Sequence, residues 1–117
     1  MEKFLLIVRE EMEILSKLTE EQRLEGIRDM TKWVEELTLT GNYIMGEPLT
    51  TAGTYVSKDK VLTDGPFIEA KEAVSGFMMI NAENLNQAIS IAQNCPKVLN
   101  GDLTLEVRPI LVYNINV

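Results

Sequence analysis

Any proton transfer near neutral pH in this chain must be carried by a tuned carboxylate, a lysine, a tyrosine or Cys95, because its 117 residues include no histidine and only that one cysteine. Ser-His-Asp and Cys-His relays are excluded. His-ligated zinc, haem and thiolate-rich zinc sites are excluded as well. The carboxylates show no EF-hand spacing, so no metal site and no cofactor is expected. Asp64 opens the segment Asp64-Gly65-Pro66-Phe67. Its carboxylate either accepts the Phe67 N–H and only shapes the turn, or acts as a general base, the one catalytic candidate. Glu69 and Lys71 share a side if their segment is extended, while Glu72 points the other way. A lysine set between carboxylates keeps its charge, so it would pair or hold a ligand rather than attack one. Glu106 and Arg108 lie two apart, opposite the apolar series Leu103, Leu105 and Val107. Arg108 either grips a carboxylate or phosphate in bidentate fashion, or forms an internal ion pair with Glu106, Asp64 or Glu47. Arg108, Glu47, Glu69 and Lys71 are therefore the ligand-binding candidates. Tyr43, Tyr55 and Tyr113 could offer a phenol. Met30, Met45, Met78 and Met79 could line a pliable pocket, or simply fill the core.

Elements of regular structure must position these groups. Residues 4–8, Phe-Leu-Leu-Ile-Val, read as a strand apolar on both faces. Such a strand is buried on both faces. Residues 10–18 read as an irregular lead-in. Thr19-Glu20-Glu21-Gln22 has the capping-box pattern and starts a helix to about Leu39, with Gly41 as its stop. Its inner stripe is Ile27, Met30, Val34 and Leu37, bordered by Trp33. Residues 42–49 form a second strand closed by Pro48. Residues 54–57 and 60–63 make a short hairpin around Lys58-Asp59. Val74 to Ile80 is a strand, Asn84 caps a second helix that Pro96 helps to end, and residues 103–108 alternate as a last strand. The order is β-α-β, a hairpin insertion, then β-α-β. This is an α+β chain with the ferredoxin-like split-βαβ arrangement and an antiparallel sheet. Two helices cover only one face of that sheet. The doubly apolar first strand predicts a second sheet on the other face, hence a homodimer.

Composition narrows the function. The apolar fraction is 45% and the charged fraction 25%, ordinary for one globular domain spanning residues 1–117. The net charge of −7 repels phosphate, so nucleic acid is not an expected partner. No Lys/Arg cluster favours an anionic membrane surface, and no apolar run reaches the ~18 residues of a spanning helix. One cysteine permits no intrachain disulfide, and the cytoplasm is the expected compartment.

The segment Val61-Leu62-Thr63-Asp64-Gly65-Pro66-Phe67-Ile68-Glu69-Ala70-Lys71-Glu72 resembles the signature of the YciI-like family, in its DGPF-domain branch. Gly76-Phe77, Asn84-Leu85 through Ala88, Glu106-Val107-Arg108-Pro109 and Gly46-Glu47-Pro48-Leu49 extend the resemblance along nearly the whole chain. The resemblance implies a dimeric α+β barrel, with two sheets face to face around an internal cleft. It also implies, for some relatives, a His–Asp pair in small-molecule lyase chemistry. Asp64 can stand for the Asp, and no residue here can stand for the His. Two functions then fit: a cofactor-independent lyase or isomerase acting on a small organic molecule in a polar inter-sheet cleft, with Asp64 at its mouth and Arg108 on its floor, or a non-catalytic module binding a small ligand or a protein.

Overall fold

A computed structural model of the chain describes residues 1–50, 52–63 and 72–113. Strand β1 (Glu2–Glu11) leads into a short helix α1 (Met12–Lys17), then α2 (Glu20–Leu39), β2 (Tyr43–Pro48), the small strands β3 (Thr54–Val56) and β4 (Val61–Thr63), and the long β5 (Glu72–Ala82). Helices α3 (Leu85–Gln93) and α4 (Pro96–Leu99) and strand β6 (Leu103–Pro109) complete the fold. The lead-in at 10–18 is thus more regular than its sequence pattern predicts. β1 runs on to Glu11, and the Glu13–Lys17 pair, 3.1 Å apart at helical spacing, supports a turn and a half of helix.

The main helix is bounded by local hydrogen bonds. Thr19 Oγ1 accepts the Gln22 N–H at 3.1 Å and Gln22 Oε1 accepts the Thr19 N–H at 3.0 Å, which is a complete capping box. At the other end the Gly41 N–H reaches Thr38 O and the Asn42 N–H reaches Leu37 O, the Schellman pattern. That pattern needs a left-handed residue, and Gly41 supplies it with φ +78°. Pro96 does not simply end a helix. It sits in the first turn of α4, where its missing N–H removes only an unsatisfied donor.

The sheet is antiparallel with strand order β2-β5-β1-β6, the split-βαβ arrangement. One face carries Phe4, Leu6, Met78, Ile80, Ala82 and Leu103 against Trp33, Leu37, Ala88 and Cys95 from the helical layer. Trp33 and Leu37 are the buried positions of α2, whereas Ile27 is 55% exposed, so the buried stripe is rotated toward Trp33.

No described element covers the opposite face. Its side chains fall in rows across the four strands, Glu47–Phe77–Ile7–Glu106 and Met45–Met79–Leu5–Arg108. The centre of each row is apolar and the ends are charged. The molecule measures 44 × 39 × 18 Å, a thickness of one sheet and one helical layer. Its Cα radius of gyration is 16.2 Å, against ~13 Å for a compact domain of this length. Strands β3 and β4 form a separate two-stranded sheet, exposed at every residue.

Candidate functional site

A break in the strand pairing shapes a concavity among the described residues. Along β1 and β5, Val8 pairs with Gly76 but Arg9 pairs with Val74, so Ser75 is an extra residue on β5. Such a bulge re-aims side chains. The Ser75 hydroxyl donates to Glu10 Oε1 at 2.6 Å, and its carbonyl accepts the Leu49 N–H at 2.9 Å, tying the bulge to the end of β2. Glu10 lies on the helix-facing side of β1, two residues beyond Val8. Its carboxylate is therefore fixed beneath α2.

From β2, Tyr43 faces the same side and its ring runs along the strand. A Cβ placed on Gly46 would lie 3.2 Å from Tyr43 Oη, 2.8 Å from Phe77 O and 2.9 Å from Met78 Cγ. Glycine at 46 is what gives the tyrosine its place. Helix α2 contributes Ile27, Met30 and Val34. Together with Val8, Gly76, Met78 and Leu103 these residues border an open cavity of ~410 Å³, whose polar residues are Glu10, Thr31, Tyr43, Glu47, Ser75 and Lys97. Volumes of this order hold small organic molecules, and mostly apolar walls with a few fixed polar groups are typical of such sites. An adjoining depression of ~240 Å³ shares Glu10 and Lys97 and adds Glu25, Asp29 and Asp102. The surroundings are acidic, which favours neutral over anionic molecules.

The sequence-derived candidates divide differently. Asp64, Glu69 and Lys71 lie outside the described residues. Arg108 is on the uncovered sheet face, 66% exposed, with Nη1 3.0 Å from Glu106 Oε2. Glu106 Oε1 also takes Arg9 Nη2 at 3.0 Å, so one carboxylate serves two guanidinium groups. Arg108 and then Arg9 hold the Glu106 carboxyl below its usual range by stabilising the charged form. Glu47 is exposed and pairs with Phe77, which puts its side chain toward that same uncovered face, while the residue also borders the helix-side cavity. Arg108 and Glu47 thus share a face but stand on opposite edge strands, and no contact joins them within one chain. Of the methionines, Met30 and Met78 line the helix-side cavity, and Met45 and Met79 lie on the other face. Among the described residues, no three His, Cys, Asp or Glu side chains converge as metal ligands would. No helix among them is long and apolar enough to cross a membrane.

A family model for the YCII-related domain matches residues 3–114. The chain belongs to this family. Among solved structures, the YCII-related chain is similar to 5-chloro-2-hydroxyhydroquinone dehydrochlorinase from Burkholderia phenoliruptrix in complex with 2,5-dihydroxybenzoquinone, at 18% identity, with 90% of each chain covered and a TM-score of 0.54. At that identity the likeness is one of fold. A search of the curated proteins finds no match.

Four polar residues of the YCII-related cavity were not singled out from sequence, Glu10, Thr31, Ser75 and Lys97. Glu10 follows an apolar run within a charged stretch, which reads as ordinary surface. Ser75 reads as a strand residue of either facing, because a bulge leaves no mark in the alternation except a neighbouring glycine, here Gly76.

Proposed function

We propose that this protein binds a small, neutral, hydroxyl- or carbonyl-bearing organic molecule, aromatic or alicyclic, in the cavity between α2 and the sheet, and that it works as a homodimer. The observation that carries the proposal is the cavity itself: ~410 Å³, apolar walls from Met30, Val34 and Met78, and the Glu10–Ser75 pair held by the bulge. Membership of the YCII-related family and a fold neighbour that is an enzyme on a small organic molecule support it. The Val61–Glu72 pattern supports assignment to the DGPF-domain branch.

The catalytic form of the proposal is a cofactor-independent isomerisation. Glu10 takes a proton from a carbon beside the substrate carbonyl and returns it to another carbon, so atoms and charge balance without a co-reactant. The Tyr43 hydroxyl donates to the carbonyl oxygen where negative charge develops. Asp64, which follows β4 directly in sequence, is the second candidate base. The uncovered sheet face, with Leu5, Ile7, Phe77 and Met79 at its centre, supports the dimer, because apolar faces of this kind are buried against a partner.

Thermal-shift screening with neutral phenols and cyclic ketones tests binding, since a ligand of the native state raises the melting temperature. Hits are expected to lose their shift in Met30→Trp, which fills the cavity. Turnover of a hit, followed by deuterium exchange from solvent, is expected to vanish in Glu10→Gln with binding retained. Loss in Asp64→Asn alone would transfer the base to Asp64, and binding without exchange in any protein would leave a non-catalytic module.

A further inference from the structure

Six polar residues border the cavity between α2 and the sheet, and four of them offer a ligand no free proton. The carboxylates of Glu10 and Glu47 only accept. The Ser75 hydroxyl donates to Glu10 Oε1 at 2.6 Å, and the Thr31 hydroxyl donates to Ile27 O at 2.8 Å. Tyr43 and Lys97 remain. Among the described residues, neither the Tyr43 hydroxyl nor the Lys97 ammonium has a hydrogen-bond or ion-pair partner. Glu10, Glu25, Asp29 and Asp102 border the adjoining depression together with Lys97, yet none of them pairs with it. The cavity thus presents two uncommitted donors against walls that are mostly apolar.

The side chain of Lys97 has a fixed seat. Its carbonyl accepts the Asp102 N–H at 2.8 Å, which ties the residue to the turn entering β6. Its stem lies across α2 at Gly26, where an added Cβ would stand 2.8 Å from Lys97 Cε and 3.3 Å from Nζ. Glycine inside a helix lowers its stability relative to alanine, and this one leaves room for the end of the lysine. We propose that Lys97 is a ligand-binding residue of the cavity, that Gly26 positions it, and that the ligand carries two acceptor oxygens, one for Tyr43 and one for Lys97. Tyr43 comes from β2 and Lys97 from the helix leading into β6, and these are the two edge strands of the sheet. The donors therefore enter from opposite edges, and the two oxygens belong on opposite sides of the ligand's ring. The ligand class narrows from any small hydroxyl- or carbonyl-bearing molecule to one oxygenated at both ends, such as a cyclic diketone. This inference rests on the cavity reading proposed above.

Dissociation constants for cyclohexane-1,4-dione and cyclohexanone, one ring with two oxygens or with one, test this through the methyl shifts of Met30 and Met78, which line the cavity. Wild type is expected to bind the dione about tenfold more tightly, the size of effect that a hydrogen bond from a charged donor confers. Lys97→Met keeps a stem of similar length and removes the ammonium. It is expected to reduce the preference to about twofold, the statistical advantage of two equivalent oxygens. Gly26→Ala is expected to lose the preference as well, yet to melt no lower than wild type, because alanine favours the helix and only the flexible end of Lys97 must move. In the Lys97→Met background Gly26→Ala is expected to change neither affinity, since it acts through the lysine. A preference that survives Lys97→Met, or equal binding of both ketones by wild type, overturns the role of Lys97 and leaves the cavity reading standing. A preference that survives Gly26→Ala overturns the positioning role of Gly26. Failure of wild type to bind either ketone overturns the cavity reading and the role of Lys97 together.

Discussion

Replacing Gly46 by alanine tests how the cavity wall is made. The new Cβ would lie 2.8 Å from the Phe77 carbonyl oxygen and 2.9 Å from Met78 Cγ. Met78 and Tyr43 have side chains that can rotate. The Phe77 carbonyl is backbone, on the strand that pairs with β2, so relieving that contact means shifting the strand pair. Overpacking of this kind costs ~1–3 kcal/mol, while removing a strand glycine returns ~0.5–1 kcal/mol. The net loss is ~1 kcal/mol or somewhat more. With an unfolding entropy of ~2.1 cal/mol/K per residue, a chain of this length loses ~4 °C of melting temperature per kcal/mol. Thermal denaturation by circular dichroism should therefore show Gly46→Ala melting ~4 °C or more below wild type. Because Tyr43 Oη is 3.2 Å from the same point, the variant should also weaken any ligand of the cavity. An unchanged or raised melting temperature would refute the close approach of β2, Tyr43 and β5.

Other expectations follow from single contacts. Glu106 titrates below the ordinary glutamate range because Arg108 and Arg9 favour its charged form. Its stabilising contribution is thus present above that range and lost as pH falls through the depressed value. Carboxyl-carbon NMR should show Arg108→Ala moving the midpoint upward, and no movement would contradict the pairing. Cys95 is fully buried with its thiol raised by desolvation, so a thiol reagent should label the native protein only as fast as it opens; prompt stoichiometric labelling would contradict this. Thr19→Ala removes the capping box of α2 and should cost ~1 kcal/mol, read as ~4 °C in the melt.

Periodicity made most of the fold legible. The capping box at Thr19, the stop at Gly41 and the alternation from Leu103 each mark their elements directly, and the doubly apolar β1 anticipates a face that no helix covers. What periodicity could not show is rotation and register. Ile27 has the right spacing for the inner stripe, yet Trp33 takes the buried position because packing of the larger ring decides how α2 is turned. Pro96 reads equally as a stop or as a first-turn residue, and only the next four residues distinguish them. The site was less legible than the fold. Arg108 lies opposite the apolar series of β6, as its alternation predicts, and it pairs with Glu106, one of the three partners the sequence offered. The cavity depends on a bulge that aims Ser75 at Glu10, 65 positions apart in sequence, and no local pattern encodes that meeting. Asp64, Glu69 and Lys71 lie outside the described residues, so the roles of Glu69 and Lys71 rest on sequence alone and that of Asp64 on sequence and on the Asp64→Asn variant.

Methionine-methyl NMR locates the ligand site most directly, because Met30 and Met78 line the helix-side cavity while Met45 and Met79 lie on the opposite face of the sheet. The protein is labelled at its methionine methyls, assigned by single Met→Leu variants, and titrated anaerobically with hydroquinone as a small neutral phenol. The Met30 and Met78 methyls should shift along one saturation curve, with Met45 and Met79 unmoved. Shifts confined to Met45 and Met79 would put the ligand against the uncovered sheet face instead, and no shift of any methyl at saturating hydroquinone would contradict the cavity as a site for this class of molecule.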